Sequence, residues 1–181
     1  MSQHQDVLDG RIAPLPVGAC APDFRLPQVS QEPYGSVVGL HRAGPCVLVL
    51  VFYPMDWEPV SREQLTLYQA YTDIFDQLGA RLHAISIDHL HCHEAFAHDA
   101  HLRFPLLADF QPRGWVARQF GVFRETQGVS ARALFVLDRR RVIRFSKAYP
   151  DALNPGVDEL LTTLEALVSG AAGHTGRPFG A

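Results

Sequence analysis

Residues 47–53, VLVLVFY, constrain the fold more than any other stretch. All seven are apolar, with β-branched side chains prominent, and Pro54 ends the run. A strand with one wet face alternates polar and apolar residues. A strand apolar at every position is covered on both faces, which is how the centre of a parallel sheet reads. From Ser61 the period changes. Leu65, Tyr68, Tyr71, Ile74, Phe75 and Leu78 recur at steps of three and four, predicting an amphipathic helix that Gly79 closes.

Further along, residues 81–88 (RLHAISID) read as a second strand. Residues 91–101 read as a helix with Ala95, Phe96 and Ala100 inward, 104–109 as a short extended piece, and 114–120 as a short helix ended by Gly121. Residues 133–138 (ALFVLD) and 142–148 (VIRFSKA) form a β-hairpin across the charged turn Arg139-Arg140-Arg141. Residues 157–168 form a last amphipathic helix. Strand–helix alternation implies parallel pairing, and the closing hairpin makes the sheet mixed. The expected architecture is α/β: a thioredoxin-like fold with a mixed central sheet flanked by helices. A chain of 181 residues fits one domain. Residues 1–20 are expected to be an extended N-terminal segment, 21–169 the domain, and the glycine-rich 170–181 a flexible tail.

A net charge of −3 and a single short basic cluster give no reason to expect nucleic acid as a partner. The longest apolar run is far short of a membrane span, so no membrane partner is expected. Asp6, Asp9, Arg11, Pro14 and Pro16 interrupt the first twenty residues, so no secretory signal is expected and the location expected is cytoplasmic. Three cysteines, Cys20, Cys46 and Cys92, match no disulfide framework or zinc motif. His89, His91, His93, His98 and His101 crowd one helix, but their spacing fits no tight zinc or copper site. A solvated, partly titrating face is expected there, and no metal.

The segment FYPMDWEPVS joins the buried run to the first helix. Ser61-Arg62-Glu63-Gln64 fits the S-x-x-Q capping box, which predicts Ser61 as the N-cap. The same place is the carboxyl end of a central strand, where α/β folds put their sites. Backbone N–H groups and the helix dipole there favour an anion. A cysteine at that place would be acidified. A serine needs a strong adjacent base to act as a nucleophile, and the G-x-S-x-G elbow of hydrolases is absent.

FYP…PVS followed by HAISID, CHEAFA, FPLLAD, VARQFGV and SARALFVLD, spread over residues 17–168, resembles a peroxiredoxin of the alkyl hydroperoxide reductase/thiol-specific antioxidant family. Six motifs in the right order are far more specific than any one of them. In that family the loop reads F-[YT]-P-x-x-[FW]-[TS]-x-x-C, and its last residue is the peroxidatic nucleophile. The resemblance puts Ser61 there. It makes Pro54 the proline that shields the nucleophile and Arg132 the arginine that hydrogen-bonds thiolate and peroxide. From the residues alone Arg132 also fits a rim salt bridge. Glu58 stands where most relatives carry Thr or Ser. At ~4 Å and an effective dielectric of about 20 its charge would disfavour a thiolate by ~4 kcal/mol unless Arg132 compensates. Cys92 is implied as a candidate resolving cysteine, the alternative being an unreactive helix thiol.

The implied chemistry is reduction of a hydroperoxide. A thiolate attacks the O–O bond, a sulfenic acid forms, and a thioredoxin-like or low-molecular-weight thiol regenerates the protein. No organic cofactor or metal is needed, and a homodimer is expected. With Ser61 at the nucleophile's place the expectation is an oxidoreductase scaffold that is inactive or strongly impaired as a peroxidase. Ser61 reads as a natural loss or as a replaced cysteine. Arg62 and Glu63 favour loss, since small neutral residues usually follow the nucleophile. The alternatives are a non-catalytic binding, sensor or holdase protein, and redox chemistry moved to an acidified Cys92.

Overall fold

The structure, a computed structural model, describes residues 12–29, 35–40, 44 and 46–172. Its centre is the expected buried strand, β3 (Val47–Phe52), with every residue buried. On one side β3 pairs in parallel with β4 (Ala80–Ser86), which pairs in parallel with β5 (Leu106–Ala108). On the other side it pairs antiparallel with β8 (Arg132–Leu137), and β8 with β9 (Ile143–Tyr149). Two further strands, β1 (Arg25–Val29) and β2 (Val37–Gly39), extend the sheet beyond β5 to give the order β2-β1-β5-β4-β3-β8-β9. A separate two-stranded ribbon, β6 (Phe123–Arg124) with β7 (Val129–Ser130), leads into β8.

The two-residue period of the central strands sorts the core into two layers. Val47, Val49 and Val51 of β3 pack with Leu134 and Val136 of β8 against one set of helices. These are α1 (Pro59–Ala70), α2 (Thr72–Gln77), α3 (Leu90–Asp99) and α5 (Asp158–Ala172), which contribute Leu65, Tyr68, Phe75, Phe96, Leu160 and Leu164. Leu48, Leu50 and Phe52 face the other way with Phe135 and Leu137, against Val116, Ala117 and Phe120 around α4 (Trp115–Gln119). Both layers being apolar is why residues 47–53 show no alternation.

Three expectations are corrected by the structure: the length of the first helix, the inner face of the next, and the end of the last. The helix read as continuous to Leu78 is broken at Tyr71 (φ −104°, ψ 4°), where the Thr72 hydroxyl donates back to the Gln69 carbonyl. The break shifts the register, so Phe75 is buried while Ile74, expected inward, is exposed. On α3, Phe96 and Ala100 face inward as expected, but Ala95 is exposed and His93 is fully buried. Residues 12–20 are extended, none of them buried, and are tied down by backbone hydrogen bonds. Ala13 and Leu15 N–H donate to Gly121 and Phe120 carbonyls, Gly18 N–H donates to the Ile143 carbonyl, and Ile12 and Leu15 pack on the core. Helix α5 runs through Ala172, into the stretch expected to be a tail. The expected tail at 173–181 and residues 1–11 lie outside the described residues.

Candidate functional site

Where β3 ends, the chain must turn before it can enter α1. Tyr53 N–H still donates to the Ile85 carbonyl (3.1 Å), and Pro54 is buried behind it. Trp57 then adopts the left-handed region (φ 64°), and Glu58 returns to extended backbone. Pro59 takes the first helical position, where its fixed φ suits the helix and its missing N–H is no loss. The helix therefore starts three residues earlier than the capping-box reading predicts. Its N-cap is Glu58, not Ser61, which occupies the third helical position. The Glu58 carboxylate accepts from the N–H groups of Val60 (3.0 Å) and Ser61 (2.6 Å), satisfying the donors that a serine cap would otherwise serve.

Ser61, Gln64, Leu65 and Tyr68 make the buried stripe of α1. Two of these four positions are polar, and one cation beneath them explains both. Phe52 pairs with Ala133, so Arg132 opens β8 beside the end of β3. The alternation that turns Leu134 and Val136 toward the helices turns Arg132 the same way. Its guanidinium is fully buried and donates to Gln64 Oε1 (2.6 Å) and Glu58 Oε2 (2.8 Å). It also donates to the Asp151 carbonyl from Nη2 (3.0 Å) and Nε (3.2 Å). Both terminal nitrogens lie 3.5 Å from Ser61 Oγ.

Ser61 Oγ is itself fully buried and donates to Glu58 Oε2 at 2.6 Å. Burial alone would push the Glu58 carboxyl up. The hydrogen bonds from Ser61, Val60 and Arg132 more than offset it, so the group stays below its ordinary value and ionised. Such a carboxylate is a poor base for a serine hydroxyl. It also covers the two backbone N–H groups that could otherwise stabilise an oxyanion. The arrangement holds an anion firmly and does not activate an oxygen nucleophile.

Of the residues picked out in the sequence, Ser61, Glu58 and Arg132 form this one cluster, and Pro54 backs the loop that delivers it. Cys92 belongs to a second cluster, on the first turn of α3. Its thiol interacts with Asp56, and burial first, then the charges of Asp56 and Asp88, push it up to about 11. The acidified Cys92 considered above is thus the reverse of what the neighbours produce. Buried Asp56 accepts from the Tyr53 hydroxyl (2.8 Å), and its Oδ2 lies 2.9 Å from His93 Nδ1. Asp88 Oδ2 accepts from the Asp56 N–H (2.8 Å) and the Ser86 hydroxyl (2.6 Å). His93 therefore leaves the expected solvated face, while His89, His91, His98 and His101 remain exposed.

Among the described residues, Asp56, Asp88 and Cys92 are the group whose ligand-type atoms come within 4.8 Å of one another. Both Asp56 oxygens and one of Asp88 are already committed to protein donors, so the trio reads as a hydrogen-bond network that ties the loop to α3. Sequence reasoning passed over Gln64, Asp151 and Asp56. Gln64 had a signal: continuing the stripe of Leu65 and Tyr68 back by four residues lands on positions 61 and 64. Asp151 acts through its carbonyl, which no side-chain pattern reveals.

Comparison with known proteins bears on the family and the fold. The model of the AhpC/TSA family matches residues 17–146. The alkyl hydroperoxide reductase E of Mycobacterium tuberculosis is 36% identical over 135 residues, covering 74% of this chain and 85% of that protein. A putative peroxiredoxin of Bacillus subtilis, YkuU, is 30% identical, covering 85% and 89%. The fold matches the crystal structure of Enterococcus faecalis AhpC with a TM-score of 0.79 at 24% identity, covering 91% of this chain and 98% of that one. It matches the reduced 2-Cys peroxiredoxin of Plasmodium vivax at 0.81 and 22%, covering 93% and 90%. With a mixed sheet of thioredoxin type, a helix whose amino end meets a buried arginine, and these relatives, the chain belongs to the peroxiredoxins of the AhpC/TSA family.

Proposed function

We propose that this protein keeps the hydroperoxide-binding scaffold of a thiol-dependent peroxidase but carries no reactive sulfur at its centre. One observation carries the reading: Ser61 Oγ sits fully buried at the head of α1, 3.5 Å from both terminal nitrogens of Arg132. A thiolate held there would attack the O–O bond of a hydroperoxide ROOH, become a sulfenic acid and release the alkoxide, which takes up a proton. Arg132 and the helix terminus would stabilise the charge. A serine hydroxyl stays protonated and cannot enter the sulfenic acid cycle. In this reading Pro54 shields position 61 and Cys92 is the candidate resolving thiol, idle while residue 61 is serine. A thioredoxin-like or low-molecular-weight thiol would serve as reductant in a form with cysteine at 61, and the protein works as a homodimer in the cytoplasm.

The alternative, a non-catalytic binding, sensor or holdase role, is favoured by the site holding an anion so firmly. Both readings predict no turnover in the native chain. With excess dithiothreitol, consumption of hydrogen peroxide and cumene hydroperoxide should stay at the rate of buffer alone. Catalytic consumption by the native chain would show that residue 61 is not the working position.

A further inference from the structure

We propose that Glu58 is a built-in ligand: its carboxylate fills the anion site formed by Arg132 and the head of α1, closing that site to small carboxylates and related monoanions. The inference rests on reading the Ser61–Arg132 pocket as the functional site, and it adds what occupies that site. Three kinds of donor converge on this one carboxylate. They are two backbone N–H groups of a twelve-residue helix, the Ser61 hydroxyl and the buried Arg132 guanidinium. That is the donor set an external monocarboxylate would use, and here the chain supplies the anion from its own N-cap. Arg132 shows that the site is built rather than incidental. It is fully buried, and its short donations, at 3.2 Å or less, go to Glu58, Gln64 and the Asp151 carbonyl, with Ser61 Oγ at 3.5 Å.

An attached ligand competes at an effective concentration of mM or more, so a free carboxylate cannot displace it at ordinary levels. The plug also bears on position 61. Its Oε2 lies 2.6 Å from the side-chain oxygen of residue 61, where a second negative charge would be strongly opposed. Glu58 thus sets the site against a thiolate as well as against an external anion. Restoring sulfur at 61 without removing the carboxylate gives a thiol poorly able to ionise.

The test measures the melting temperature against formate at constant ionic strength, with formamide as the uncharged control. Glu58→Ser keeps a good N-cap and empties the space near Arg132. It should gain about 4 °C at 100 mM formate for a site half-filled near 10 mM. The native protein should show no formate-dependent gain, and neither should respond to formamide. Equal shifts in both proteins, or none in either, would overturn the proposal. Should Glu58→Ser not fold, Glu58→Thr supplies the same cap and the same space.

A second readout needs no added ligand. The rate constant for hydrogen peroxide should be at least about tenfold higher in Ser61→Cys/Glu58→Ser than in Ser61→Cys, as removal of a nearby charge predicts. Equal rates would overturn the plug. Peroxide turnover by the native chain would instead overturn the functional reading and leave the formate result to stand on its own.

Discussion

Glu58 serves two ends with one carboxylate: it caps α1 and it neutralises Arg132. A threonine or serine could do only the first. That double use helps explain how a fully buried guanidinium is tolerated beneath the buried stripe of α1, since a buried charge without a partner is strongly unfavourable. Cys92, on the first turn of α3, shows the opposite electrostatics. Burial first, then the carboxylates of Asp56 and Asp88, hold its thiol up at about 11. Little thiolate is then present at pH 8, and only the thiolate reacts. Iodoacetamide should label Cys92 about two orders of magnitude more slowly than an ordinary free thiol. Asp88→Asn should speed that labelling. Peptide-resolved mass spectrometry separates Cys92 from Cys20 and Cys46, and rapid labelling of Cys92 in the native protein would contradict this account.

At the scale of elements, the strongest patterns in the sequence were the most informative. The uninterrupted run at 47–53 is β3, and the alternating layers on either side show why it had no polar face. The first helix was legible in its interior and misread at its start. Ser61 offered a plausible capping box, but Glu58 and Pro59 together supplied a better start, with the N-cap three residues earlier. Strands β1 and β2 gave little warning, because Pro27 interrupts one and the other is three residues long. The site was half visible. Ser61, Glu58 and Arg132 stood out through motif resemblance, but their hydrogen bonds depend on the β3–β8 register, which is a long-range property.

The docking of residues 12–20 was equally hidden, and Gly121 is where it can be tested. Gly121 has φ 72°, and a Cβ there would meet the Ala13 carbonyl oxygen at 2.0 Å. Gly121→Ala should cost at least about 2 kcal/mol in urea unfolding, through left-handed strain and displacement of that strap. It should also speed proteolysis within residues 12–20. A variant as stable and as resistant as the native protein would show that the strap does not depend on this contact.

Taken whole, the molecule carries a pH dependence to which the sheet contributes through a buried histidine. His83 on β4 is buried, and burial first, then Arg81 and Arg141, lower it to about 4. The folded state keeps it neutral while the unfolded chain binds a proton near pH 6.5. Stability from this group is therefore complete above about pH 6.5 and declines as pH falls toward 4, by about 3 kcal/mol in all. His83→Gln should flatten that decline in urea titrations between pH 7 and 4, and an unchanged slope would place the acid sensitivity elsewhere.

The central claim is that this scaffold lacks a working peroxidase's reactive atom at residue 61. The most direct measurement treats the native chain and Ser61→Cys/Glu58→Ser with one equivalent of hydrogen peroxide and locates any added oxygen by mass spectrometry. The account predicts oxidation at residue 61 in Ser61→Cys/Glu58→Ser and no sulfenic acid at Cys92 in the native chain. Rapid oxidation of Cys92 in the native chain, or a folded Ser61→Cys/Glu58→Ser in which residue 61 stays unoxidised, would contradict it.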